Sequence, residues 1–146
     1  MKIYRLVKQE KRNYGVPSVL QAILNYNGIN IPQTEIATNL TLGERGGILV
    51  DDRAITDFLR KKGFEYLYYP HNATPFNEPD AILRDMDEHQ GILGIKPFIY
   101  ILTEFRDPSI EVIEPIEGRS LSLDLYQTLK DMNERTGFFG LVKRLH

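Results

Sequence analysis

The chain has 146 residues, a formal charge of -2, 42% hydrophobic and 26% charged residues, which suits one domain, residues 1–146, built around one hydrophobic core. The basic excess of a nucleic-acid binder is missing, no apolar run approaches the roughly 18 residues of a membrane span, and Met1 to Lys8 lacks the apolar core of a signal peptide. The cysteine count is zero, so no disulfide framework implies export, and a cytoplasmic protein is expected.

In chain order, residues 2–8 alternate weakly, with Ile3 and Val7 on one side and Tyr4 and Leu6 on the other, and are expected to form a short strand. Lys8, Lys11 and Arg12 gather around Glu10 and read as a solvated loop rather than a nucleic-acid contact. Asn13-Tyr14-Gly15-Val16-Pro17 is a turn into a buried helix. Pro17 suits its first turn, Val16, Val19, Leu20, Ile23 and Leu24 recur at helical spacing, and Gly28 supplies the stop. Pro32 opens a short second helix containing Ile36 and Leu40. Residues 41–47 read as a loop, since no Gly-Lys-Ser/Thr follows Gly43, Gly46 and Gly47 to make a phosphate grip. Asp51 or Asp52 caps a third helix with Ala54, Ile55, Phe58 and Leu59, closed at Gly63.

Phe64 to Tyr69 alternates as a strand, its aromatic residues mostly core, with one face available to line a groove. His71 to Phe76 is a loop, and Asn77 caps a helix through Ile82, Leu83 and Met86. Three strands are then expected at Gly91–Ile95, Phe98–Thr103 and Ile110–Ile113, the last two joined as a hairpin. After a turn at Pro115 to Gly118, a helix capped near Ser122 carries Leu125, Leu129 and Met132, and Phe138 to Val142 closes the chain as a strand. Helices followed by an antiparallel sheet make an α+β fold.

That order, with its first helix, resembles the papain-like peptidases that cut double-glycine leaders from bacteriocin precursors. The family's landmarks are a Gln, then Asp/Asn-Cys-Gly opening a buried helix that ends in Tyr-Tyr-Gly. Here stand Gln9, Asn13-Tyr14-Gly15-Val16-Pro17-Ser18 and Asn25-Tyr26-Asn27-Gly28. Gln9 falls on the oxyanion-hole position, one residue closer than usual, and Tyr14 falls on the nucleophile. Gly46-Gly47 through Lys62-Gly63-Phe64 is similar to a later loop and helix of the family. The family's His falls on Pro97 or Phe98, at the start of Phe98-Ile99-Tyr100-Ile101. Its Asp-Pro falls on Glu114-Pro115, before the turn ending at Gly118. The resemblance implies a papain-like fold over roughly residues 3–143 and a substrate cleft between the first helix and the sheet.

The residues at those positions do not support thiol chemistry. A tyrosine phenol titrates near about 10 and is no match for a thiolate, Pro97 and Phe98 carry no proton, and Glu114 has no His to orient. Ser18 suits a local backbone bond in the first helical turn better than a nucleophile. His71 and His89 read as solvated surface residues without a third metal ligand, and Asp80, Asp85, Asp87 and Glu88 as an exposed helix face. No metal or cofactor is expected. The resemblance implies a catalytically inactive domain that grips a peptide or protein partner in the former cleft, with Gln9, Tyr14, Phe98 and Glu114 as contacts. The alternatives are a structural or regulatory protein acting through another surface, and an enzyme using the cleft without a thiol. Because the chain ends where the peptidase domain ends, a stand-alone protein or an excised domain is expected.

Overall fold

Helix α1 (Gly15–Tyr26) buries Val16, Val19, Leu20, Ile23 and Leu24, the residues whose spacing predicts it. It begins at Gly15, ahead of Pro17, which sits in the first turn where an N–H has no intrahelical partner to lose. Gly28, at φ 84°, follows the C-cap Asn27 in the left-handed conformation that glycine adopts without a steric penalty. Pro32 precedes the short α2 (Gln33–Ala37). Asp51 caps α3 (Asp52–Lys61), its carboxylate accepting from the backbone N–H groups of Arg53 (3.1 Å) and Ala54 (3.3 Å).

The computed structural model describes residues 2–5, 7–40, 51–71, 83–85 and 88–145. The expected loop at 41–47 and most of the helix expected from Asn77 lie outside them; within it, residues 83–85 are helical and Leu83 is buried. Among the described residues no helix is long and apolar enough to cross a membrane.

The strands are β1 (Phe64–Pro70), β2 (Gln90–Ile95), β3 (Phe98–Arg106), β4 (Ser109–Glu114), β5 (Arg119–Asp124) and β6 (Phe138–Arg144), with α4 (Leu125–Glu134) before the last. They form one sheet in the order β1-β6-β2-β3-β4-β5, every neighbouring pair antiparallel. Side chains alternate between its faces. Phe64, Tyr66, Ile92, Ile101, Phe138 and Val142 join α1, α2 and α3 in one core, while Leu93, Leu102, Val112, Phe139 and Leu141 join Leu125 and Met132 of α4 in the other. The expected α+β layering is present, with a helix on the far face as well.

Two expected elements are corrected. Residues 2–5 and 7–8 form no strand; Tyr4 and Val7 are buried while Ile3 is 77% exposed, so the weak alternation is not used. Contact with the sheet comes from single bonds such as Lys2 N–H to the Thr103 carbonyl (3.1 Å). The helix expected to begin near Ser122 instead starts at Leu125, capped by Asp124, which accepts from the Gln127 N–H at 2.9 Å. Ser120 to Leu123 belong to β5 because Leu121 and Leu123 lie opposite Val112 and Ile110 of β4, and that period of two decides the local structure.

Candidate functional site

The start of α1, the β2–β3 turn, the β4–β5 turn and the ends of β1 and β6 enclose a cleft of roughly 870 Å³. Its floor is aromatic. The rings of Tyr68 and Phe138 stack with centroids 5.2 Å apart. Gly94 faces Phe138 across the β2–β6 pair, and a Cβ there would fall within the Phe138 ring, so glycine is what allows that ring to lie flat. Phe98 and Tyr100 line the cleft from the other face of the sheet, where Phe98 pairs with Ile95 and Tyr100 with Leu93 of the second core; Phe98 is 43% exposed, 6.2 Å from the ring of Tyr100.

At the helical wall, Asn13, Gly15 and Val16 line the cleft. Asn13 takes a positive φ of 72°, a conformation asparagine tolerates better than most residues. Gly15 lets α1 approach β3, since a Cβ there would stand 3.0 Å from Ile99 Cγ2. The same point is 3.7 Å from the Gln9 Oε1, so the Gln9 carboxamide sits against the first residue of α1. Gln9 is fixed by its main chain: its N–H donates to the Pro115 carbonyl (2.7 Å). Beside it, buried Gln33 donates from Nε2 to the Lys8 carbonyl and accepts at Oε1 from the Glu10 N–H, both at 2.9 Å.

Glu114 is buried at the end of β4 and serves its own turn. Its carboxylate accepts from the backbone N–H groups of Ile116 (2.8 Å), Glu117 (3.0 Å) and Arg119 (3.2 Å), and the Arg119 Nε lies 3.6 Å away. The phenols of the cleft are not activated: burial pushes Tyr68 above the usual tyrosine value, with Asp52 adding to it. Burial and the Glu114 carboxylate do the same to Tyr100.

Of the residues expected to make contacts, Gln9, Phe98 and Glu114 line the cleft together. Tyr14 stands at its edge as the N-cap residue of α1, half-buried between the lining Asn13 and Gly15, with the Lys11 Nζ 5.4 Å from its ring centroid. Pro97 lines the cleft beside Phe98. Ser18 is fully buried and its Oγ donates to the Gly15 carbonyl (2.8 Å), the local bond expected of it. His71, expected as a solvated surface residue, is instead half-buried and lines the cleft, because its N–H donates to the Gly137 carbonyl (3.0 Å) and carries β1's course past the end of the strand. Arg12, Lys96, Tyr68 and Thr136 also line it. Only Tyr68 had a signal in the sequence, as a member of the alternating aromatic run. Among the described residues no cluster of His, Asp and Glu could hold a metal ion.

No protein-family model matches the chain, and no curated protein matches it. Solved structures do. A crystal structure of a double glycine motif protease from an AMS/PCAT transporter, in complex with the leader peptide, superposes with a TM-score of 0.70 at 14% identity, covering 97% of this chain and 92% of that one. The peptidase domain of Streptococcus ComA, a bifunctional ABC transporter involved in a quorum-sensing pathway, matches with a TM-score of 0.70 at 15% identity, over 97% of this chain and 99% of that one. The fold is therefore that of the papain-like, double-glycine peptidase domains, helices packed with an antiparallel sheet, as the resemblance implies.

Proposed function

We propose that this chain is a peptidase-like domain that holds an extended peptide in its cleft without cutting it. The observation that carries the reading is an open cleft beside the start of α1 whose lining includes exposed aromatic side chains, Phe98 at 43% and Tyr68 at 37%. A cleft kept only as packing would be filled by Tyr14 and Phe98; here Tyr14 stays outside it, against Lys11, and Phe98 faces solvent. Absence of cutting rests on chemistry. The chain has no cysteine, Ser18 is committed to the Gly15 carbonyl, and the phenols of Tyr68 and Tyr100 are held in the neutral form. The leader peptide bound to the AMS/PCAT protease lends support to a peptide as ligand. The reading includes a single domain over residues 1–146, a cytoplasmic location, and Gln9, Phe98 and Glu114 as the cleft's contributions, with Tyr14 at its rim.

The test is fluorescence anisotropy with labelled extended peptides, followed by mass spectrometry of the incubated mixture. Peptides are expected to bind and be recovered intact, and Phe98→Asp to weaken binding by about tenfold, the effect of losing one aromatic anchor. Cleavage products, or undiminished binding by a folded Phe98→Asp chain, would overturn the proposal.

A further inference from the structure

The cleft's charge is opposite in sign to that of the chain. The formal net charge is -2, yet the charged side chains among the cleft's lining residues are Arg12, Lys96 and Glu114. Glu114 is already neutralised where it stands, by the N–H groups of its turn and by Arg119. Arg12 and Lys96 are exposed, and among the described residues neither has an ion pair. They come from different walls, Arg12 from the segment entering α1 and Lys96 from the β2–β3 turn, so a ligand lying across the floor passes both. The first turn of α1, whose Gly15 and Val16 line the cleft, contains no acidic residue, and its dipole adds to the same sign.

We infer, resting on the peptide-holding reading, that the peptide this cleft takes is acidic: apolar side chains lie on Tyr68 and Phe138, and carboxylates of the same peptide pair with Arg12 and Lys96. A cleft with low-dielectric walls and one sign of charge concentrates ligands of the other sign, and it does so here against the overall charge of the protein. The aromatic floor fits a peptide with apolar residues between its acids. A single-stranded nucleic acid is the other anionic polymer that stacks on aromatic rings, but its grooves track a backbone with a continuous run of cations, and this cleft offers only Arg12 and Lys96, from separate walls.

The experiment uses fluorescein-labelled decapeptides with identical leucine positions, the intervening positions being all Glu, all Gln or all Lys, with an oligouridylate as competitor. The Glu peptide is expected to bind about tenfold tighter than the Gln peptide at low salt, as befits two exposed ion pairs, and this gap closes near about 0.5 M salt, where screening is complete within a few ångströms. Arg12→Gln with Lys96→Gln removes the gap, and Arg12→Glu with Lys96→Glu turns the preference to the Lys peptide; both sites are exposed, and thermal melts establish folding. Equal binding of the Glu and Gln peptides overturns the acidic assignment and leaves the peptide-holding reading standing. Failure of all three peptides to bind a folded chain overturns both. Displacement of the Glu peptide by an equal concentration of oligouridylate overturns the acidic-peptide assignment in favour of a nucleic acid.

Discussion

One face of β1 passes from core to cleft within a single strand. Phe64 is 1% exposed, Tyr66 6% and Tyr68 37%, all on the side that meets the N-terminal helices. At the Phe64 end the helical layer is closed, with Phe58 and Leu59 of α3 in the same core. At the Tyr68 end no helix among the described residues covers the strand, and the aromatic surface lines the cleft with Phe138. The chemistry of the surface is the same at both ends; what differs is whether a helix covers it. The proposed binding floor is an uncovered stretch of core.

Substitutions along this face separate its two halves. Phe64→Ala is expected to cost about 3–5 kcal/mol, the cost of emptying a well-packed aromatic site, seen as a fall in the urea midpoint. Gly94→Ala forces the Phe138 ring aside and is expected to cost about 1–3 kcal/mol by overpacking. Because Phe138 carries Tyr68, the same change also weakens peptide binding, which Phe64→Ala does only by unfolding; anisotropy on the folded fraction distinguishes the two.

Tyr66 gives a gain in place of a loss. Its buried hydroxyl has no hydrogen-bond partner among the described residues, so Tyr66→Phe is expected to stabilise the chain by about 1 kcal/mol at neutral pH. Burial, then Tyr68 and Asp52, push this phenol above its ordinary value, and burial followed by Tyr26 does the same to Tyr4. The unfolded chain then releases these protons first, near about pH 10, so stability is full below that pH and falls above it, by up to about 1.4 kcal/mol per pH unit for each phenol. Melts across the alkaline range should show a shallower fall in Tyr66→Phe than in wild type. Tyr68→Ala is the smallest change, less than about 1 kcal/mol for a half-open stacked ring, and a larger loss of stability would mean that the cleft end is as structural as the core end.

Much of the fold was legible because its signals are local. Pro17, Asp51 and Gly63 mark helix ends by backbone chemistry, β2 and β3 read as short apolar runs bounded by a turn, and β4 alternates. β5 was not, because Ser122 and Asp124 are both good caps and only pairing with β4 shows which begins the helix. The segment before Gln9 misled for a related reason: Tyr4 and Val7 are buried by tertiary contact, three residues apart, a spacing that does not fit a strand's period of two. In the site, Gln9, Phe98 and Glu114 were found through resemblance, whereas His71, Arg12 and Lys96 come together only through the topology. Nothing in their spacing announces a shared cleft.

Gln33 gives the cleft a further property. Its amide makes one donor and one acceptor bond to the main chain of Lys8 and Glu10, as a neighbouring strand would, and the Gln9 N–H is held from the other side by Pro115. Position 9 is therefore set by bonds that never touch its own side chain. Such a position can change its residue without loosening the scaffold, whereas Glu114, whose carboxylate ties its turn together, cannot. The cleft therefore joins a position whose side chain carries no scaffold bond to one whose side chain holds its own turn together.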